Sequence, residues 1–228
     1  MSASDVRVVL AHGAWADGSS WTKVIGPLAA DGHEVLAAPL PLTSFDEDVA
    51  ALERTLERAA GPTVLVGHAY AGAVIAAVRN PTVKALVYIA ALAPDQGETV
   101  ADVFYRAPPH PRAPQLAPDR HGLIYLPLPA FAPNATREEQ ALLTAVQRPI
   151  APACISAPMN RPRWQDLPSW YLVAEHDVMI LPETQRFMAE RMRARVRTHQ
   201  VDHTPLVTAP TVVVDIIREA IASLPRSN

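Results

Sequence analysis

The stretch PTVLVGHAYAGAVIAAVRN, residues 62–80, decides the fold of this chain. An apolar run leads into GHAYAG at 67–72, and a second apolar run with helical spacing follows it. The pattern predicts a buried strand over 62–68, a tight turn, and a helix over about 70–80. The apex of the turn is Ala69, a residue with no nucleophilic atom.

A sharp turn between a strand and a helix is one way to expose a nucleophile at the carboxyl edge of a sheet, and it requires small flanking residues. Gly67 and Ala71 are small, and Gly72 gives further room behind the turn. The sequence departs from the G-x-S-x-G pattern of such turns at two positions, because Ala69 occupies the serine position and Ala71 that of the second glycine. The turn geometry is therefore expected to be intact while its usual chemistry is missing.

Strands and helices alternate on both sides of this turn. Most of the predicted strands are nearly continuous apolar runs, which is typical of parallel strands that are covered on both faces. The alternation predicts an α/β fold with a mostly parallel, six-stranded sheet flanked by helices. The predicted strands are 6–12, 33–39, 62–68, 84–92, 169–175 and 195–201, and the main helices are 19–31, 44–60, 70–80, 182–193 and 208–224.

The alternation is interrupted over residues 94–166, which are rich in proline. Two stretches there have helical character, 98–105 and 136–147, and aromatic residues in the same region require burial. An irregular insertion of this length in a compact domain is usually functional. We therefore divide the chain into a core, residues 1–93 and 167–228, and a cap or lid insertion, residues 94–166.

Composition excludes several classes of function. The chain has 228 residues, a net charge of -3 and no basic stripe, so we expect no nucleic-acid partner. No apolar run is long enough to span a membrane, and the N-terminus lacks the features of a signal peptide, so a cytoplasmic protein with no membrane partner is expected. The single cysteine, Cys154, permits no internal disulfide and has no base beside it in sequence.

No metal and no organic cofactor are expected. The turn after the first strand, HGAWADG, lacks the G-x-G-x-x-G pattern of dinucleotide-binding enzymes. His110 and His121 are too far apart for a known zinc-ligand spacing, and His199 is predicted to lie on a strand.

Candidate site residues follow the predicted strands, at the edge where ligands bind in open α/β sheets. HGAW, residues 12–15, follows the first strand, and the backbone N–H groups of Ala14 and Tyr70 are candidates for stabilising an oxyanion. Asp177 follows the fifth strand and His203 follows the sixth. The order turn, acid, histidine is that of the Ser-Asp-His triad on such sheets.

With these motifs in place, the chain resembles the α/β-hydrolase superfamily, and within it the branch of plant-type methylesterases, hydroxynitrile lyases and bacterial esterase-like proteins. The resemblance rests on HGAWADGSSW, VGHAYAGAVI, LVYIAALAPDQGE, SWYLVAEHDVMILPETQRFMAER and VDHTPLVTAP, and it covers nearly the whole chain. It implies an α/β-hydrolase fold, with Asp177 as the acid, His203 as the base, Ala14 and Tyr70 as oxyanion donors, and Ala69 at the nucleophile position. Thr204 stands where lyases of this branch carry a lysine, which argues against cyanohydrin cleavage.

Ala69 leaves three interpretations open. In the first, an esterase-like hydrolase has had its serine replaced and is inactive in ester hydrolysis, since loss of the serine costs roughly a million-fold in the subtilisin triad. In the second, alanine is natural, and His203 with Asp177 acts as a general base in a cyclase, isomerase, dehydratase or lyase. In the third, the chain is a non-catalytic binding protein.

The binding pocket is predicted between the carboxyl edge of the sheet and the insertion. The residues expected to contact a substrate are mostly aromatic, which favours a small apolar carbonyl or ester compound: His12, Trp15, His68, Phe104, Tyr125, Phe131 and Trp164. The sequence leaves the oligomeric state open, a homodimer included.

Overall fold

A computed structural model describes residues 6–127 and 132–224. These residues form a parallel six-stranded sheet in the order β2-β1-β3-β4-β5-β6. The predicted α/β fold with a mostly parallel, six-stranded sheet is confirmed. The strands are β1 (Arg7–Ala11), β2 (Val35–Ala38), β3 (Thr63–His68), β4 (Val83–Ile89), β5 (Ser169–Ala174) and β6 (Arg195–His199).

Helices cover both faces of the sheet, as right-handed crossovers between parallel strands require. The two apolar faces of the sheet form two clusters, one packed against α2 and α3 and the other against α1 and α9. The helices are α1 (Thr22–Ala30), α2 (Phe45–Ala59), α3 (Ala71–Ala77), α4 (Val100–Phe104), α5 (Arg137–Ala145), α6 (Ala153–Ser156), α7 (Pro182–Arg191), α8 (Pro205–Thr208) and α9 (Pro210–Ala222). Two 3₁₀ turns lie at Gly18–Trp21 and Arg163–Gln165.

The structure adds detail to the last two predicted elements. The helix expected over 208–224 is α9, and a separate short helix, α8, precedes it, because Pro210 lacks an N–H and starts a new helix at its first position. β6 is a strand as predicted, but it lies at the edge of the sheet and its first four residues are exposed. An edge strand has a neighbour on one side only, which accounts for its alternating arginines.

The insertion is attached to the core by hydrogen bonds and, among the described residues, by two ion pairs, one of which joins Lys23 of α1 to Glu139 of α5. The Ala151 N–H donates to the Leu42 carbonyl (2.9 Å) beneath the carboxyl edge of the sheet. Arg191 of α7 pairs with Glu98 (2.7 Å) at the start of the insertion. Its helices α4 and α5 begin at capping boxes, in which the threonine before the helix and an acid three residues later satisfy each other's backbone N–H groups. No helix in the described ranges is long and apolar enough to cross a membrane.

Candidate active site

The turn between β3 and α3 holds Ala69 in a strained conformation. Its φ is 50°, in the left-handed region that costs a residue with a side chain roughly 1 kcal/mol. Backbone hydrogen bonds fix this geometry: the Ala69 N–H donates to the Ile89 carbonyl (3.2 Å), and the Ala69 carbonyl accepts from the N–H groups of Gly72 (3.1 Å) and Leu92 (2.9 Å). The strain is therefore maintained by the neighbouring strand β4 and the loop that follows it.

Gly72 lets this turn pack against the chain after β4. A Cβ atom on Gly72 would lie 2.8 Å from the Ala91 Cβ and closer still to the Leu92 carbonyl oxygen. We expect Gly72→Ala to lower the free energy of unfolding by roughly 2 kcal/mol or more, because backbone would have to move. Urea denaturation measures the change.

The matched control is Gly26→Ala, at a helical glycine of α1 with nothing within 4 Å of the added Cβ. That substitution is expected to stabilise the protein by about 0.5 to 1 kcal/mol, because alanine is the better helix former. Equal effects of the two substitutions would show that close packing behind the turn is not the reason for Gly72.

Two backbone N–H groups stand open beside Ala69. In the described part of the chain, neither the Ala14 N–H nor the Tyr70 N–H has a hydrogen-bond partner. Tyr70 precedes α3, so its N–H is one of the donors that the start of a helix leaves unsatisfied. Ala14, Ala69 and Tyr70 all line the same cavity, and His203 lines it as well. The arrangement can stabilise a developing negative charge on an oxygen atom.

His203 and Asp177 form a buried acid–base pair. The His203 Nδ1 lies 2.7 Å from the Asp177 Oδ2, although 26 residues separate them in sequence. Asp177 is held in place by three further donors, the N–H groups of Met179 (2.7 Å) and Ile180 (2.9 Å) and the Gln185 side-chain amide (2.8 Å). Burial by itself would lower the pKa of His203, but the Asp177 charge and hydrogen bond outweigh it and raise the pKa.

His12 and His68 lie beside the cavity as buried, neutral side chains. The His12 Nδ1–H donates to the Gly13 carbonyl (3.0 Å), and its Nε2 accepts from the Leu40 N–H (3.1 Å). The His68 Nε2–H donates to the His203 carbonyl (2.8 Å), with 5.0 Å between the two ring centroids. Burial lowers the pKa of His12 to about 4 and that of His68 to about 3. Both rings hold the loops of the site in position, and neither belongs to the described cavity wall.

The cavity has a volume of about 60 Å³ and a wall that is almost entirely apolar. Of the aromatic residues predicted to contact a substrate, Trp15 and Phe104 line it. Trp164 is buried elsewhere, with its Nε1–H donating to the Pro94 carbonyl (3.4 Å), and Tyr125 is 49% exposed. Phe131 lies outside the described residues. The wall also contains residues that sequence reasoning did not identify: Leu92, Tyr105, Leu116, Ile124, Ile150 and Met179.

A buried carboxyl group, Asp48, supports the turn from behind and was not expected from the sequence. It accepts hydrogen bonds from the Tyr70 hydroxyl (2.7 Å) and the Leu42 N–H (2.7 Å). Burial raises its pKa. Asp48 lies four residues before Leu52 on the inward face of α2, and an acid at that spacing in an apolar face was the available signal. The neighbouring Cys154 is buried, which raises the pKa of its thiol to about 12, so it is no thiolate nucleophile near neutral pH.

Comparison with known proteins gives a family and a fold. The model of the family described as "Alpha/beta hydrolase family" matches residues 8–216. A carbendazim hydrolyzing esterase of Nocardioides sp. (strain SG-4G) is 27% identical over 154 residues, which cover 58% of this chain and 64% of that protein. The chain therefore spans slightly under two thirds of that relative.

Two solved structures share the fold over nearly their full length. An alanine variant of the pyrethroid hydrolase PytH superposes with a TM-score of 0.78 at 20% identity, over 96% of this chain and 98% of that one. A variant of tomato methylketone synthase I superposes with a TM-score of 0.78 at 18% identity, over 95% and 97% of the two chains. At these identities the likeness establishes the architecture alone.

Proposed function

The chain belongs to the alpha/beta hydrolase family, and on that premise we propose that it is a methylesterase-like member that acts on small apolar carbonyl compounds, with His203 as a general base and without a covalent intermediate. The observation that carries the proposal is the His203–Asp177 pair at 2.7 Å, beside an apolar cavity that two open N–H groups also line. A protein that only binds ligands has no need of such a pair. Ala69 supplies no hydroxyl, so an acyl-enzyme cannot form on it.

The reaction that these groups support is proton transfer next to a carbonyl. The Nε2 atom of His203 takes a proton from the carbon beside the carbonyl, and the electrons of that C–H bond move to the carbonyl oxygen as an enolate. The N–H groups of Ala14 and Tyr70 stabilise the oxygen. Asp177 orients the imidazole and stabilises its protonated form. Return of the proton to the same or a neighbouring atom completes an exchange or an isomerisation.

The apolar wall favours this chemistry in two ways. The described residues of the wall include no carboxylate, lysine or arginine, so His203 is the base that lies beside Ala14 and Tyr70 in the cavity. Exclusion of water also strengthens the hydrogen bonds to the enolate oxygen, because charges interact more strongly in a low dielectric. The tomato structural relative is named for the synthesis of a methylketone, a carbonyl product, and this supports the substrate class.

Deuterium exchange tests the proposal directly. We expect the chain as given, with Ala69, to speed incorporation of deuterium from heavy water into the carbon atoms beside the carbonyl of butanone, followed by NMR. His203→Ala should lower the enzymatic exchange rate by about 100-fold or more, the usual contribution of a positioned general base. His199→Ala, at the carboxyl end of the edge strand β6, is the matched control and should leave the rate unchanged. Equal exchange rates for the two variants would refute the proposal.

A second candidate function is ester hydrolysis by a protein whose serine position now holds alanine. The observation that favours it is the left-handed backbone of Ala69, since this strain is useful chiefly for exposing a nucleophile. The similarity to an alanine variant of a pyrethroid hydrolase is consistent with it. In this case the cavity and the His203–Asp177 pair serve an ester, and restoring a serine at position 69 separates the two candidates.

A further inference from the structure

Three spaces lie at or near His203, which lines the first two of them. The first is the apolar cavity of about 60 Å³ described above, here called the chamber. The second is a groove of about 560 Å³ between Arg112, Asn134 and the loop of Glu175–Val178, here called the polar groove because charged side chains line it. The third is a proline groove of about 560 Å³, lined by the segment 107–117 of the insertion and by Leu181 and Thr184. The chamber is small, with room for roughly four groups the size of a water molecule.

Met179 lies where the three spaces meet. Met179 lines the chamber and both grooves, and no other described residue does so. Its backbone is fixed, because the Met179 N–H donates to the Asp177 Oδ1 (2.7 Å). Its unbranched side chain can still change rotamer and so alter the width of a passage. Leu181, two residues on, lines both grooves and does not line the chamber.

We propose that Met179 determines substrate specificity: the substrate is a carbonyl compound whose short substituent fills the chamber and whose longer, unbranched apolar chain passes Met179 into the proline groove. This inference rests on the proposed function for the position of the carbonyl group. The chamber holds only a few heavy atoms beside His203, so a longer substituent has to leave it.

The proline groove is the exit that suits an apolar chain, because the described residues of its wall include no carboxylate, lysine or arginine. It shares Phe104, Tyr105 and Leu116 with the chamber, in addition to Met179, so the two spaces have a continuous apolar wall. The polar groove shares only His203 and Met179 with the chamber, and carboxylates line it, Glu175 and Asp202 among them. An alkyl chain in the polar groove would desolvate these charges without pairing them, which is costly.

Binding of linear methyl ketones to the Ala69 protein tests the proposal without any need for turnover. Dissociation constants from ligand-observed NMR are expected to fall by about fourfold for each methylene that enters the proline groove, the usual gain for a buried methylene. Met179→Trp should close the passage, so that affinity stops rising once the chamber is full. Met179→Ala should widen it and tighten binding of a ketone with a branched chain by about tenfold relative to the linear isomer.

Leu181→Ala is the matched control. The substitution removes part of the groove wall and leaves the passage at Met179 unchanged. It should therefore weaken the binding of long ketones by a few-fold and leave the discrimination between branched and linear isomers unchanged. The proposal is overturned if Met179→Trp keeps the full chain-length dependence, if Leu181→Ala alters the branched-to-linear ratio as much as Met179→Ala, or if no methyl ketone binds. Ketone binding with this Met179 dependence, together with absent deuterium exchange, would reject the general-base function and keep the specificity role.

Discussion

Ala69→Ser is expected to label with a fluorophosphonate probe and to hydrolyse a simple aryl ester at least about 10⁴-fold faster than the chain as given. The serine hydroxyl would project from a turn that already has the left-handed backbone of a nucleophile position, with φ 50°. His203, oriented by Asp177 at 2.7 Å, would take its proton, and the N–H groups of Ala14 and Tyr70 would stabilise the oxyanion. Removal of the serine from the subtilisin triad lowers kcat by about 2 × 10⁶-fold, so a serine at position 69 should raise the rate of ester hydrolysis by a large factor.

Intact mass and hydrolysis rate together give the result. The double variant Ala69→Ser with His203→Ala is the control, because it keeps the hydroxyl and removes the base; it should neither label nor hydrolyse above the level of the parent chain. Labelling and hydrolysis by the single variant alone would support the esterase candidate. If the single variant stays inert while the parent chain exchanges deuterium into ketones, the turn is not set for acyl transfer and the general-base function is the better account.

Acid is expected to destabilise the protein strongly through His12 and His68. Both are buried and neutral, with pKa values lowered to about 4 and about 3 from the ordinary value of 6.5. Below pH 6.5 these two histidines therefore bind protons in the unfolded chain but stay neutral in the folded chain. Their contribution to stability is fully present above pH 6.5 and is lost as the pH falls toward their folded-state pKa values. At about 1.4 kcal/mol per pH unit and per group, the loss by pH 4.5 is on the order of 5 kcal/mol.

His203 has the opposite effect on how stability depends on pH. Its pKa is raised, so its contribution to stability is present below pH 6.5 and is lost as pH rises through the folded value. The acid effect is isolated with His68→Gln, whose amide can replace the Nε2–H bond to the His203 carbonyl and cannot titrate. Between pH 7.5 and pH 4.5, urea denaturation should show a loss of stability that is smaller by roughly 3 kcal/mol in this variant, which is the share of His68. A pH dependence equal to that of the parent chain would assign the acid sensitivity to other groups.

Local sequence pattern was enough for the architecture because the elements depend on nearest neighbours. Continuous apolar runs identify β3 and β5, both buried along their full lengths, and Ser44 accepts a hydrogen bond from the Glu47 N–H where α2 was predicted to begin. The exposure of a strand was not readable where its position in the sheet mattered more than composition. β6 was correctly predicted as a strand from RVRTHQV, and its place at the edge leaves its first four residues exposed.

The candidate site was likewise predictable from the sequence only in part. The order of Ala69, Asp177 and His203 and their places after strands were readable from the sequence, because parallel strands bring their carboxyl ends to one edge. The direction of a side chain was not readable. His12 and His68 turn toward backbone carbonyl groups beside the cavity, and Tyr125 turns toward solvent, although composition grouped all three with the pocket.

The sequence by itself thus determined the strand order along the chain, the tight turn at Ala69 and the absence of a nucleophile there, since each follows from a few consecutive residues. Only the tertiary structure decided that His203 meets Asp177, that Asp48 supports Tyr70 from behind, and that Met179 stands between the chamber and two grooves. The first two features join core residues that are 26 and 22 positions apart, and the third joins the core to the insertion. Their formation depends on how whole elements pack, and no local pattern records that packing.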